Sequence, residues 1–216
     1  MNQENLQQPP EVATSTDEIV LKAAKKATHP LISIWARPRA TMRHIVDTNP
    51  RHLVLQLAVL TGVAEVFGTA GPQDFGKKFG VPLTLLLFLV VGSILGVLAL
   101  YVGGKLLHWS GRWLGGRASL AEVQSAFAWS TVPRISTLPI VLTAILLSDQ
   151  SWVGSSFYFA PIILLDVWSV VLLVICIGEV QRFSTLKSLA SILLVALTIW
   201  LCIAVVAGGI GLWRGH

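Results

Sequence analysis

The chain has 216 residues, of which 54% are hydrophobic and only 12% are charged. Because a soluble globular domain carries about 25% charged residues, this composition excludes an ordinary water-soluble protein. The net charge of +5 is modest, and no long stretch interleaves aromatic with basic residues, which argues against a nucleic-acid-binding protein. Since one membrane span takes about 20 residues, the apolar half of the chain suffices for five. We therefore predict an all-α, polytopic membrane protein built on a five-transmembrane-helix bundle.

The region before the first long apolar block divides into two parts. Residues 1–17 are polar and place no basic residue ahead of an apolar core, which is typical of a disordered tail and not of a signal peptide. Residues 18–52 mix basic with apolar side chains and are predicted to form a juxtamembrane cytosolic segment at the membrane surface. We expect this segment to bind anionic membrane lipids. The predicted headgroup contacts are Arg37, Arg39, Arg43 and Arg51.

One short amphipathic helix is predicted within this segment. Pro38 suits the first turn of a helix that runs to the Asn49-Pro50 break. Met42, Ile45 and Val46 fall on one of its faces. We expect this helix to lie flat on the lipid headgroups.

Residues 53–216 form the predicted membrane domain, in which apolar blocks alternate with short polar connectors. The predicted spans are about 53–70, 81–104, 124–147, 157–178 and 188–211. The third contains Pro133 and Pro139, which interrupt helical hydrogen bonding. It is either one kinked span or two re-entrant halves, and we favour the kinked span.

The basic residues predict the orientation, because Lys and Arg near span ends are retained in the cytoplasm. With five spans, twelve basic residues lie on the side of the N-terminus and three on the opposite side. We therefore expect a cytoplasmic N-terminus and a C-terminus outside. The twelve are Lys22, Lys25, Lys26, Arg37, Arg39, Arg43, Arg51, Lys105, Arg112, Arg117, Arg182 and Lys187; the three are Lys77, Lys78 and Arg214.

Several segments together resemble a known family. They are residues 34–43 (IWARPRATMR), 115–119 (GGRAS) with 128–133 (AWSTVP), 165–169 (LDVWS) and 178–184 (GEVQRFS). Their order and spacing over about residues 31–210 are similar to the Yip (Ypt-interacting protein) family, and to its shorter bacterial members in particular. The resemblance implies five spans, a cytosolic N-terminus and a multi-pass protein of the bacterial plasma (inner) membrane.

Eukaryotic members of that family act in vesicle traffic through contact with prenylated Rab-type GTPases. They carry an Asp-Leu-Tyr-Gly-Pro type motif in the cytosolic segment and a Tyr-containing motif near the third span. This chain lacks the first motif, and Trp129-Ser130 stands in place of the second. The resemblance therefore does not carry Rab-type GTPase binding over to this chain.

Three charged residues fall inside the predicted spans and form a candidate intramembrane polar cluster. At about 1.5 Å per residue, Glu65 lies about 18 Å, Arg134 about 15 Å and Asp166 about 19 Å from the cytoplasmic ends of their spans. Ionisable groups at such depth face partners inside the bundle, so we expect Arg134 to pair with Asp166, with Glu65 as a second or competing partner. The cluster is either a structural salt bridge or a proton or ion path. A third alternative is that the spans are misplaced and the charges interfacial.

Small residues predict close helix packing in two spans. Gly92, Gly96 and Gly103 share one face of the second span, and Ala204 and Gly208 share one face of the fifth. Their partner is either another span of the same chain or a second copy in self-association.

No pattern predicts catalysis, a metal site or a cofactor. The five histidines lack metal-ligand spacing, and no Gly-rich segment belongs to a strand-loop-helix unit. The predicted function is a non-enzymatic membrane scaffold or organiser acting through lipid or membrane-protein contacts. The alternative is a small transporter or channel that uses Glu65, Arg134 and Asp166.

Overall fold

The computed structural model describes residues 30–69, 80–146 and 156–214. Across these ranges the chain forms helices and no strand, which confirms the all-α prediction. The predicted tail, residues 18–29, Lys77 and Lys78 lie outside the described residues. The helices are α1 (Pro30–Ala36), α2 (Pro38–Thr48), α3 (Val54–Thr69), α4 (Val81–Trp113), α5 (Leu120–Ser130), α6 (Val132–Ile135), α7 (Thr137–Leu146), α8 (Ser156–Gln181) and α9 (Thr185–Arg214).

Three of these helices are long and apolar enough to cross a membrane, namely Pro82–Trp113, Phe159–Gln181 and Thr185–Ala207. Helix α3 is a shorter apolar helix. Their large apolar side chains point outward, since Leu86, Leu164 and Val205 are all more than half exposed. An apolar surface of this extent needs lipid as its solvent. The chain is therefore a membrane protein.

Helix α4 is longer than the second predicted span, which ended at residue 104. The helix continues to Trp113, with Leu107 and Ser110 buried along this extension and α9 packed against α4. The hydroxyls of Ser110 and Ser191 lie 2.6 Å apart across this contact. Gly115 then ends the helix in the left-handed region, at φ +89°. Much of the stretch between the second and third predicted spans is thus helical.

The third predicted span is not one kinked helix but three consecutive helices, α5, α6 and α7. Ser119 begins α5 with a capping box, in which its amide donates to the Glu122 carboxylate at 2.5 Å. The helical hydrogen bonding breaks at Thr131 and again at Ser136. Pro133 and Pro139 lie in the first turns of α6 and α7, where a missing amide proton costs nothing. The prolines therefore begin new helices instead of bending a continuous one.

The amphipathic helix predicted over residues 38–48 is present as α2, with a different neighbour from the expected one. Its apolar residues Met42 and Ile45 are buried, together with Ile34 of α1. They pack against α5 and α8 of the same chain. Protein covers the apolar face that we expected to lie on lipid headgroups, and the exposed face of α2 is the basic one.

The small residues of the second and fifth predicted spans differ in what they pack against. Gly92 and Gly96 contact Ala58 and Gly62 of α3, so their close partner is a helix of the same chain. Gly103 lies against the ring of Phe127 instead, at 3.3 Å from the position of an added Cβ. In α9, Ala204 is exposed and is not covered by another helix of the described residues. The packing at Gly208 lies outside the described residues.

Candidate functional site

The structure brings together the three charged residues that the sequence places inside the spans. Arg134 Nε donates to Asp166 Oδ1 at 2.8 Å, and Arg134 Nη1 lies 3.0 Å from Glu65 Oε2. One guanidinium thus bridges two carboxylates on two different helices. This is the arrangement that we expected for Arg134, with Asp166 and Glu65 as simultaneous instead of competing partners.

The break in the third segment positions the guanidinium. Arg134 lies on the single turn of α6, between the breaks at Thr131 and Ser136. The Thr137 hydroxyl donates to the Arg134 carbonyl at 2.7 Å and holds the second break. Because α6 packs against both α3 and α8, its one long basic side chain reaches a carboxylate on each.

The cluster lines one side of a cleft of about 580 Å³ between α3, α4, α5 and α8, which we call the α3–α8 cleft. Its walls are mainly apolar side chains. The charged groups are partly open to it, with side-chain exposures of 47% for Glu65, 35% for Arg134 and 36% for Asp166. The apolar lining consists of Ala58, Gly62, Val66, Leu95, Gly96, Leu98, Ala99, Val102, Phe127, Ala128, Val170 and Leu173.

Hydroxyl groups accompany the charges along this cleft. The Oγ1 atoms of Thr61 and Thr131 lie 2.7 Å apart and share a hydrogen bond. Ser169 is 8% exposed, and its hydroxyl has no hydrogen-bond partner among the described residues. Sequence reasoning missed Thr61 and Ser169. Their signal is spacing, because each lies one helical turn from Glu65 or Asp166 on the same helix face.

The cleft carries a formal charge of −1 when both carboxylates are ionised. Arg134 balances one of the two, and its hydrogen bonds hold it between them. The apolar walls provide few polar groups that could stabilise the remaining negative charge. Charges also interact strongly in such low-dielectric surroundings. The arrangement can therefore attract a cation, while it contains no nucleophile activated by a neighbouring base.

The arginines predicted to contact headgroups lie at the other end of the molecule. Arg43 forms an ion pair with Glu179 at the end of α8, with Nε 2.8 Å from Oε1. The Glu179 carboxylate raises the pKa of Arg43, through this hydrogen bond first and charge attraction second. Arg39 Nη2 lies 3.5 Å from the Thr185 hydroxyl. Arg37 and Arg51 are exposed. Among the described residues, Arg37, Arg39 and Arg51 form no ion pair, in contrast to Arg43.

A buried tryptophan links the segment before α3 to the bundle. Trp129 is fully buried, and its Nε1 donates to the His52 carbonyl at 3.3 Å. The two rings stack at 6.5 Å between centroids. Trp129 therefore fixes the start of α3 against α5, which is a packing role that its position in the sequence did not indicate.

The described residues contain no group of three or more His, Cys, Asp or Glu side chains that could hold a metal ion. Cys176 is buried and Cys202 is exposed, and neither forms a disulfide.

Comparison with known proteins gives one match. The family model of the Yip1 domain matches residues 32–208, which is most of the chain. No curated protein and no solved structure matches significantly.

Proposed function

Because the chain belongs to the Yip family, we propose that it is a non-enzymatic membrane scaffold that organises lipids through a basic cytosolic face. This basic face consists of the exposed side chains of Arg37, Arg39 and Arg51. One observation carries the proposal: α2 buries its apolar residues in the protein and leaves Arg39 outside, while Arg37 and Arg51 are exposed just before and just after the helix. Each basic residue near an anionic membrane surface contributes about 1 kcal/mol of attraction.

The proposal includes five spans: α3, α4, the broken segment α5–α7, α8 and α9. The Arg43–Glu179 ion pair supports this count, because it places the N-terminal segment beside the end of α8. With α3 and α4 crossing in turn, α8 ends on the side of the N-terminus only if α5–α7 also crosses. A re-entrant α5–α7 would put Glu179 on the opposite side from Arg43.

The basic residues support the proposed orientation. The N-terminus would face the cytoplasm of a bacterial cell and the C-terminus the outside, with the domain in the plasma (inner) membrane. Trp109 and Trp113 agree with this placement. They are exposed near the end of α4 that would reach the cytoplasmic interface, where tryptophans are enriched.

No specific feature favours the transporter or channel alternative. Arg134 contacts both carboxylates directly, as in a salt bridge that sets helix packing.

The proposed basic face is tested by measuring which lipids the protein retains on purification. The protein is placed in nanodiscs of mixed neutral and anionic phospholipid, and the lipids that copurify with it are quantified by mass spectrometry. We expect the triple variant Arg37→Gln, Arg39→Gln, Arg51→Gln to lose most of the anionic enrichment. Each neutralised residue should also reduce the salt dependence of that enrichment.

The matched control removes the three basic residues predicted on the opposite side, with Lys77→Gln, Lys78→Gln and Arg214→Gln. This variant has the same net charge as the first and should retain the anionic lipids. Equal lipid compositions for the native protein and both variants would refute the proposed basic face.

A further inference from the structure

The α3–α8 cleft has a charge that nothing in the described structure balances. Two carboxylates, of Glu65 and Asp166, share the single guanidinium of Arg134. All three groups are partly open to the cleft, and Glu65 is the most exposed. An ionised group at mid-depth in a bilayer is costly unless it has a partner. The cleft therefore has one acidic group in excess.

An unpartnered hydroxyl lies in the same cleft. Ser169 is more than nine-tenths buried, and its Oγ has no hydrogen-bond partner among the described residues. It is on the same helix face as Asp166, one turn further along α8. A buried hydroxyl without a partner costs free energy, so this atom is an available acceptor or donor beside the excess charge.

The rest of the cleft matches a hydrophobic molecule. Leu95, Leu98 and Val102 of α4 form one wall, and Val170 and Leu173 of α8 form another. The volume of about 580 Å³ lies in the range that holds a drug-sized ligand. Phe127 also lines the cleft and adds to its apolar surface.

We propose that the α3–α8 cleft binds a hydrophobic monocation, with an ammonium group beside Glu65 and Asp166 and its hydrocarbon along the apolar walls. The ammonium group balances the excess carboxylate and donates a hydrogen bond to Ser169 Oγ. A neutral amphiphile of the same shape would gain only the apolar contact, and an anion would meet the excess negative charge. This site lies between the spans, away from the basic face, so neither proposal depends on the other.

The experiment measures equilibrium binding of radiolabelled tetraphenylphosphonium to the full-length protein in nanodiscs, against empty nanodiscs. We expect saturable binding that dodecylammonium displaces at a concentration at least about tenfold lower than dodecanol, because only the former carries charge into a low-dielectric site. Dodecanol has the same chain and no charge. If it competes equally well, the cleft selects hydrocarbon alone and the proposal is wrong.

Two variants test the place of binding. Glu65→Gln removes the excess charge and should weaken tetraphenylphosphonium binding at least about tenfold. Ala99→Trp fills the cleft, keeps every charge, and should abolish binding. Asp47→Asn is the matched control, because it removes an exposed carboxylate of α2 outside the cleft, and it should bind as the native protein does.

Ser169→Ala tests the hydrogen bond separately. It should weaken competition by dodecylammonium, which has N–H donors, and leave tetraphenylphosphonium binding unchanged. Absence of saturable binding to the native protein, or equal binding to the native protein, Glu65→Gln and Ala99→Trp, would overturn the proposal.

Discussion

Gly62 of α3 and Gly96 of α4 bring two helix backbones into direct contact. A Cβ added to Gly62 would lie 2.5 Å from the Gly96 Cα and closer still to the Gly92 carbonyl oxygen. Small residues at such positions let membrane helices approach until their backbones touch. The contact matters because it fixes the position of α3, which carries Glu65 about one turn beyond Gly62.

A methyl group at this contact should destabilise the protein. Gly62→Ala forces two backbones apart, and overpacking of this kind costs about 1–3 kcal/mol. For a chain of this size we expect the midpoint of thermal unfolding in mild detergent to fall by about 3–10 °C. Gly68→Ala is the matched control in the same helix, because no atom lies within 4 Å of its added Cβ. Equal midpoints for the two variants would contradict the packing.

Two groups of contacts could be predicted from the sequence, because their residues differ in charge or size from the apolar residues around them. Glu65, Arg134 and Asp166 are conspicuous because charge is rare inside apolar spans, and counting from the span ends was enough to put them at one depth. Gly92 and Gly96 were found through their spacing on one helix face. In both cases a local pattern reports a long-range contact, since the membrane limits the partners available to each side chain.

The features that the sequence did not reveal depend on contacts between distant segments. Arg43 meets Glu179 across 136 residues, and nothing local distinguishes it from the other arginines of the segment. The extension of α4 to Trp113 depends on burial against α9, which hydropathy alone does not report. The breaks at Thr131 and Ser136 follow from two prolines whose exact effect on the helix depends on tertiary packing.

The bridge at Arg134 should appear as coupling between the two sites it joins. Arg134→Gln and Asp166→Asn should each lower the thermal midpoint, while the double variant recovers part of the loss. The interaction energy of such contacting groups is about 0.5–3 kcal/mol. The same cycle run with Asp47→Asn, an exposed carboxylate on α2, should show no coupling. Purely additive effects for Arg134 and Asp166 would mean that their contact does not contribute to stability.

The Arg43–Glu179 ion pair should hold α2 on the bundle. In Arg43→Gln we expect the amides of α2 to exchange with deuterium about two to five times faster, measured by mass spectrometry. Because the Arg43 side chain is exposed, the difference in exchange rate should shrink in 1 M salt, where charge attraction is screened. Arg51→Gln is the control, since Arg51 makes no ion pair in the described part of the chain. Acceleration of equal size in both variants would assign the effect to net charge.

Five spans predict opposite sides for the two ends of α8. In a background of Cys176→Ala and Cys202→Ala, Ser151→Cys precedes α8 and Ser184→Cys follows it. A membrane-impermeant maleimide added to intact cells should label Ser151→Cys and leave Ser184→Cys unlabelled until the cells are opened. The reversed pattern would overturn the proposed topology, since it requires either that α5–α7 does not cross the membrane or that the N-terminus lies outside.

Gln181 fills a narrow space beside Gly111 and Gly116, at the end of α8. It is 1% exposed, and a Cβ added to Gly111 would lie 2.7 Å from its Cδ. Gly111→Ala should therefore lower the thermal midpoint by several degrees, through overpacking of about 1–3 kcal/mol. Gln181→Ala removes the obstructing amide, so the double variant should be more stable than the sum of the two single effects. If Gln181→Ala does not relieve Gly111→Ala, the cost of the methyl group arises elsewhere, and Gln181 does not set the spacing of α4 and α8.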